Sequence, residues 1–105
     1  MADSPPWTVI FTGQAKKGKD QLPEEIKGDL MALYLNLSWQ GPFQPKWSHF
    51  GKLAGKKKGQ DIWHCHINTG RPTYVAIWKV TDLNEQKMEI RYVGTHENAD
   101  YRRIS

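Results

Sequence analysis

The chain has 105 residues, a formal net charge of +4 and a hydrophobic fraction of 38%, which together predict one modest core. No apolar run approaches the roughly 20 residues of a membrane-spanning helix, and the start of the chain lacks a secretory signal pattern, so we expect a cytoplasmic protein with no membrane contact. Its single cysteine, Cys65, excludes an internal disulfide and the cysteine-rich zinc motifs.

The first half of the chain predicts a strand followed by helices. After a flexible leader at residues 1–6, residues 7–105 are expected to form one domain. Residues 7–12 are rich in strand formers, and the lysine-rich segment 15–22 is compatible with a short helix. Pro23 suits the first turn of a second helix, whose apolar residues recur at helical spacing until Gly41-Pro42 ends it.

The second half predicts three strands, at residues 62–67, 73–80 and 87–93, after a loop at 42–60. The strand at 73–80 is apolar on both faces and is therefore expected to be central. Short turns between these strands favour antiparallel neighbours. We therefore expect an α+β fold, with one or two N-terminal helices packed on one face of a four-stranded, mainly antiparallel sheet.

Two histidines stand one residue apart on the predicted strand at 62–67. Side chains alternate along a strand, so His64 and His66 share one face while their apolar neighbours face the core. Two imidazoles on an apolar strand are costly in a core and indicate proton transfer, phosphate binding or a metal. His96 follows the last predicted strand, and His49 lies in the preceding loop.

Basic residues are concentrated in three places. On a small basic domain, this favours a polyanionic partner, foremost a nucleic acid. The clusters are Lys16-Lys17-Gly18-Lys19, Lys56-Lys57-Lys58 and Arg102-Arg103.

Four short motifs follow one another along nearly the whole chain. They are Leu22-Pro23-Glu24-Glu25-Ile26-Lys27, Leu53-Ala54-Gly55 followed by Gly59, Trp63-His64-Cys65-His66-Ile67, and Tyr92-Val93-Gly94-Thr95-His96. In order and spacing they resemble the small bacterial toxins of the RelE/ParE superfamily, and within it the YafQ-like branch of mRNA interferases. The chain departs from that pattern at Thr73, where YafQ-type toxins carry an acidic residue. It also departs at Arg71, which precedes the strand region where RelE-like toxins carry an arginine.

The resemblance implies a RelE-like fold and a type II toxin that cuts mRNA in the A site of the 70S ribosome without a metal or other cofactor. In that family a ribose 2′-hydroxyl attacks the adjacent phosphate, which requires a base, an acid and cations. By resemblance, His66 and His96 match the catalytic histidines of YafQ-type toxins. His64 occupies the position where other RelE-like toxins carry a strand lysine, and His49 lies near the position of the loop histidine of YafQ-type toxins. The resemblance also implies a cognate acidic antitoxin that is partly disordered when free.

Six further residues are candidates for binding the RNA substrate. Lysine and arginine would contact phosphates, which positions a nucleic acid without reading its sequence. The C-terminal tyrosine lies close to the sequence position at which these toxins carry an aromatic residue that stacks on the substrate base. The candidates are Lys56, Lys57, Lys58, Arg71, Arg91 and Tyr101.

Two other functions fit part of this pattern. His64, His66 and His96 could form a three-histidine zinc site, because alternate strand residues can ligate one ion. However, these motifs place no acidic residue at an obvious position to orient such ligands. A ParE-like toxin that inhibits gyrase would share the fold and need none of the histidines.

Overall fold

The computed structural model describes residues 4–53 and 61–99. Strand β1 (Thr8–Phe11) precedes helices α1 (Gly13–Asp20) and α2 (Glu24–Gln40). Four more strands follow, namely β2 (Gly51–Lys52), β3 (Ile62–His66), β4 (Tyr74–Asp82) and β5 (Lys87–Thr95). They form one sheet in the order β1-β5-β4-β3-β2, and the expected α+β class is confirmed.

The sheet has five strands in the described ranges, one more than the sequence predicts. The extra strand, β2, lies within the expected loop at 42–60 and pairs with β3, with Gly51 opposite His64. Strand β1 pairs parallel to β5, with Val9 opposite Met88, while the other three pairings are antiparallel. The sheet is therefore mainly antiparallel, as expected, with a parallel pair at one side.

Both helices have ends that local chemistry explains. Helix α1 begins earlier than the predicted segment, because the Thr12 hydroxyl caps it by accepting the Ala15 N–H at 3.3 Å. Helix α2 ends where the sequence predicts, since Gly41 has a φ of 95° and donates its N–H to the Leu37 carbonyl. Within the described ranges, neither helix combines the length and apolar character that crossing a membrane requires.

The two faces of the sheet bury different residues. The face towards the helices carries the main core, in which Cys65 and Trp78 pack against Leu30 and Leu33. Burial raises the pKa of the Cys65 thiol to about 12, so this cysteine is an unreactive core residue. The opposite face carries a smaller apolar cluster of four buried residues, Ile62, Val75, Ile77 and Tyr92. Strand β4 contributes to both clusters, which confirms its predicted central place.

Candidate active site

His64 and His66 lie on the sheet face that turns away from the helices. His64 is opposite Ile77, and His66 is opposite Val75, both members of the smaller apolar cluster. Cys65 between them is fully buried on the helix side. The predicted shared face of the two histidines is thus confirmed.

The loop between α2 and β2 brings His49 onto His66. The two rings are stacked, with centroids 4.0 Å apart and planes 22° from parallel. The backbone N–H of His66 donates to the Ser48 carbonyl at 2.8 Å, and the Ser48 hydroxyl lies 2.9 Å from His49 Nδ1. His49 has a φ of 56°, a left-handed conformation that is uncommon outside glycine. Such a conformation often marks a functional position.

Buried side chains hold this loop in place. Gln44 is buried, and its Nε2 donates to the Asn36 carbonyl at 3.1 Å. Trp47 donates its indole N–H to the Asn36 side-chain oxygen at 3.0 Å, while Trp78 donates to the Pro42 carbonyl at 3.1 Å. Because each of these bonds joins the loop to α2 or β4, the loop presents His49 from a fixed support.

His96 completes a cluster of three imidazoles. Strand β5 continues to Thr95, two residues beyond its predicted end, and the His96 N–H then donates to the Thr73 carbonyl at 2.9 Å. This places the His96 ring edge-on to His66, with centroids 5.4 Å apart and planes at 77°. His66 is therefore in contact with one exposed histidine on each side.

A cleft of about 460 Å³ opens beside His66 and His96. It places Arg71, a predicted phosphate-binding residue, together with two of the predicted catalytic histidines. It also contains Glu97, which was not among the candidate residues predicted from the sequence, although it directly follows His96. The residues around the cleft are His66, Arg71, Pro72, Thr73, Thr95, His96 and Glu97.

Arg91, another predicted substrate-binding residue, does not line this cleft. The Arg91 guanidinium pairs with the Glu89 carboxylate at 3.0 Å. Arg91 also precedes His96 by five positions along β5, roughly 16 Å of extended strand. Lys56, Lys57, Lys58 and Tyr101 lie outside the described residues, so their roles stay predictions.

Burial and neighbouring imidazoles favour the neutral form of both strand histidines. The pKa of His66 is lowered mainly by burial, and further by the charges that His49, His96 and His64 would carry. The pKa of His64 is also lowered mainly by burial, although a hydrogen bond with the Gly51 backbone acts in the opposite direction. Near neutral pH, both rings are therefore available to accept a proton.

We expect the free energy of unfolding to decrease as the pH falls from about 7.5 to about 5.5. The folded pKa of His64 and of His66 lies below the ordinary value of 6.5, so the unfolded chain binds more protons in this range. Urea unfolding at both pH values measures the decrease, which a His64→Gln/His66→Gln double variant should reduce. An equal pH dependence in the double variant would contradict this assignment.

The three-histidine zinc site considered from the sequence is not assembled in residues 4–53 and 61–99. No group of three His, Cys, Asp or Glu side chains there is arranged to hold a metal ion.

Comparisons with known proteins identify the fold. No family model and no curated protein sequence matches the chain. Among solved structures, RelE in the RelE–RelB complex of Pyrococcus horikoshii OT3 has a TM-score of 0.70 and 17% identity, over 90% of this chain and 99% of that one.

Two Escherichia coli structures are similar as well. The DinJ–YafQ toxin–antitoxin complex gives a TM-score of 0.66 at 21% identity, covering 88% of this chain and 94% of the other. A mutant of the toxin RelE in the free state gives 0.66 at 16% identity, covering 90% and 87%. At these identities the similarity establishes the architecture, and the chain has a RelE-like fold, as the sequence motifs imply.

Proposed function

We propose that the chain is the toxin of a type II toxin–antitoxin pair and acts as a ribosome-dependent mRNA endoribonuclease. The observation that carries this proposal is the contact of His49, His66 and His96 beside a cleft that also contains Arg71. Imidazoles supply proton transfer near neutral pH, and a guanidinium supplies positive charge for a phosphate. The RelE-like fold of the chain is consistent with this function.

The proposed reaction is a transfer of the phosphate from the 5′-oxygen to the ribose 2′-oxygen. The 2′-hydroxyl attacks phosphorus, the bond from phosphorus to the 5′-oxygen breaks, and the products carry a 2′,3′-cyclic phosphate and a 5′-hydroxyl. His66 suits the role of base, because its lowered pKa keeps the ring neutral and ready to take the 2′-hydroxyl proton. The proton for the leaving oxygen comes from one of the two exposed imidazoles beside it.

Arg71 is the described cation best placed for the extra negative charge of the transition state. It is exposed, lines the same cleft as His66 and His96, and lies in the turn before β4. A guanidinium can contact two phosphate oxygens at once, which stabilises a phosphorane more than a single charge would. The ribosome would supply the remaining alignment of the RNA in the A site.

Primer extension on a reporter message in a bacterial cell-free translation reaction tests this proposal. We expect wild-type protein to produce cleavage at codon-phased positions within the translated region. The same message lacking a ribosome-binding site is the matched control and should be cut much less. An intact message in both reactions would refute the nuclease proposal and leave a ParE-like action on gyrase as the function to test.

An antitoxin partner is supported by a second surface, the groove between β1, α1 and α2. This groove of about 660 Å³ has an apolar floor, and Ile10 and Met31 there are 51% and 54% exposed. Lys16 and Lys19 stand at its side. An acidic amphipathic segment would cover the apolar residues and pair with the lysines.

We expect a synthetic acidic amphipathic helix to bind this groove. Met31→Glu should weaken binding at least about tenfold, because it places a carboxylate in the apolar floor opposite the acidic peptide. Titration calorimetry with wild-type and variant protein measures the difference. Leu83→Glu, at an exposed apolar residue outside the groove, is the matched control, and equal weakening by both would argue against this docking site.

A further inference from the structure

Ser48 forms hydrogen bonds with both histidines of the stacked pair. Its carbonyl accepts the backbone N–H of His66 at 2.8 Å, and its hydroxyl lies 2.9 Å from His49 Nδ1. The left-handed backbone at His49 folds that ring back over His66, where the centroids are 4.0 Å apart. One residue thus fixes the main chain at His66 and the side chain of His49.

The Ser48 hydroxyl can form a hydrogen bond with Nδ1 of His49 in either protonation state of the ring. A hydroxyl accepts from Nδ1–H of an imidazolium and donates to Nδ1 of a neutral ring. With Nδ1 engaged, Nε2 at the far side of the ring is the nitrogen that remains for the substrate. A partner on one ring nitrogen sets the role of the other in this way in many acid–base sites.

The two rings of the stacked pair differ in their exposure to solvent. Charge on His66 is disfavoured by burial and by His49 and His96 on either side of it, whereas His49 is exposed. Among the described residues, Arg71 and Glu97 are charged groups that line the cleft together with His66. Of the two rings, His49 is the one more open to solvent, and the Ser48 hydroxyl is in place to accept its Nδ1–H.

We propose that Ser48 is a positioning residue whose hydroxyl orients His49 as the general acid of the reaction. This inference rests on the proposed ribonuclease function and assigns the proton donor within it. His66 takes the proton of the 2′-hydroxyl as the 2′-oxygen bonds to phosphorus. The bond from phosphorus to the 5′-oxygen breaks, and the His49 Nε2 proton goes to that oxygen. Exchange with water restores both histidines.

The test compares two messages bound in the A site of programmed ribosomes under single-turnover conditions. One carries the ordinary linkage, and the other carries sulfur in place of the bridging 5′-oxygen at the cleavage position. A thiolate leaves without protonation, so a defect in the general acid disappears on the sulfur-containing message. We expect Ser48→Ala to cut the ordinary message at least about tenfold more slowly than wild type and the sulfur-containing message at nearly the wild-type rate.

Two further variants make the result specific. Ser48→Thr keeps a hydroxyl and should restore most of the rate on the ordinary message, while His49→Ala should show the same dependence on the linkage as Ser48→Ala. Ser4→Ala, an exposed serine near the start of the described chain, is the matched control. Urea midpoints of the variants confirm that folding is unchanged.

Several outcomes would overturn the proposal. A wild-type rate for Ser48→Ala on the ordinary message, an equal loss on both messages, or a failure of Ser48→Thr to recover would each remove the orienting role of the hydroxyl. Failure of the wild-type protein to cut either message would instead refute the ribonuclease function itself. The wild-type reactions therefore separate the two failures.

Discussion

His66→Ala is expected to cut messenger RNA at least about 100-fold more slowly than the wild-type protein, the lower end of what a general base contributes. His66 is half-buried, contacts both exposed histidines and lines the cleft. Without its imidazole, the 2′-hydroxyl has no positioned group to accept its proton. Single-turnover cleavage on programmed ribosomes measures the loss directly.

His66→Gln and His64→Gln provide the comparisons for this result. His66→Gln retains a polar side chain of similar size and should be nearly as slow as His66→Ala, because an amide is not a base at neutral pH. His64→Gln changes the same face of β3, but the proposed proton transfers give His64 no role, so its effect should be smaller. A wild-type rate for His66→Ala would refute the assigned base.

Trp78→Ala is expected to lower the free energy of unfolding by about 3–5 kcal/mol, as for other buried tryptophans. Trp78 is 0% exposed in the central strand β4 and packs against the helix-side core. Its indole N–H also donates to the Pro42 carbonyl at the start of the loop that carries His49. The substitution therefore leaves a cavity and releases one anchor of the site.

Urea denaturation followed by circular dichroism measures this loss. Trp39→Ala is the matched control, since Trp39 is 48% exposed at the end of α2 and its removal should cost less than about 1 kcal/mol. Because domains of this size have only about 5–15 kcal/mol of stability, Trp78→Ala removes a large share of it. Similar midpoints for the two variants would contradict the assigned core.

The helices and strands that could be predicted are those whose own residues follow a periodic pattern. Residue alternation in β3 separates His64 and His66 from Cys65, and the apolar spacing of α2 defines its buried side. The parallel pairing of β1 with β5 has no such signal, because it joins segments about 80 positions apart, with helices α1 and α2 and strands β2, β3 and β4 between them. Strand β2 has only two residues, too few for an alternating pattern.

The site could be predicted in its residue types but not in its contacts. The spacing of His64 and His66 indicates their shared face, yet nothing periodic indicates that His49 stacks on His66. That contact depends on the left-handed backbone of His49 and on the buried bonds of Gln44, which only the folded loop specifies. The sequence does not predict a role for Glu97, because a lone carboxylate after the last strand is typical of an ordinary surface residue.

Strand β5 is the last strand of the described chain, so it is also the last of these strands to be synthesised. A nascent chain that has been translated only through β4 already contains three of the four histidines. It lacks the strand against which both β1 and β4 pair, and it lacks the wall of the cleft formed by Thr95 and His96. The closing of the sheet and the completion of the cleft thus depend on the same late segment, so a chain that ends before β5 has neither.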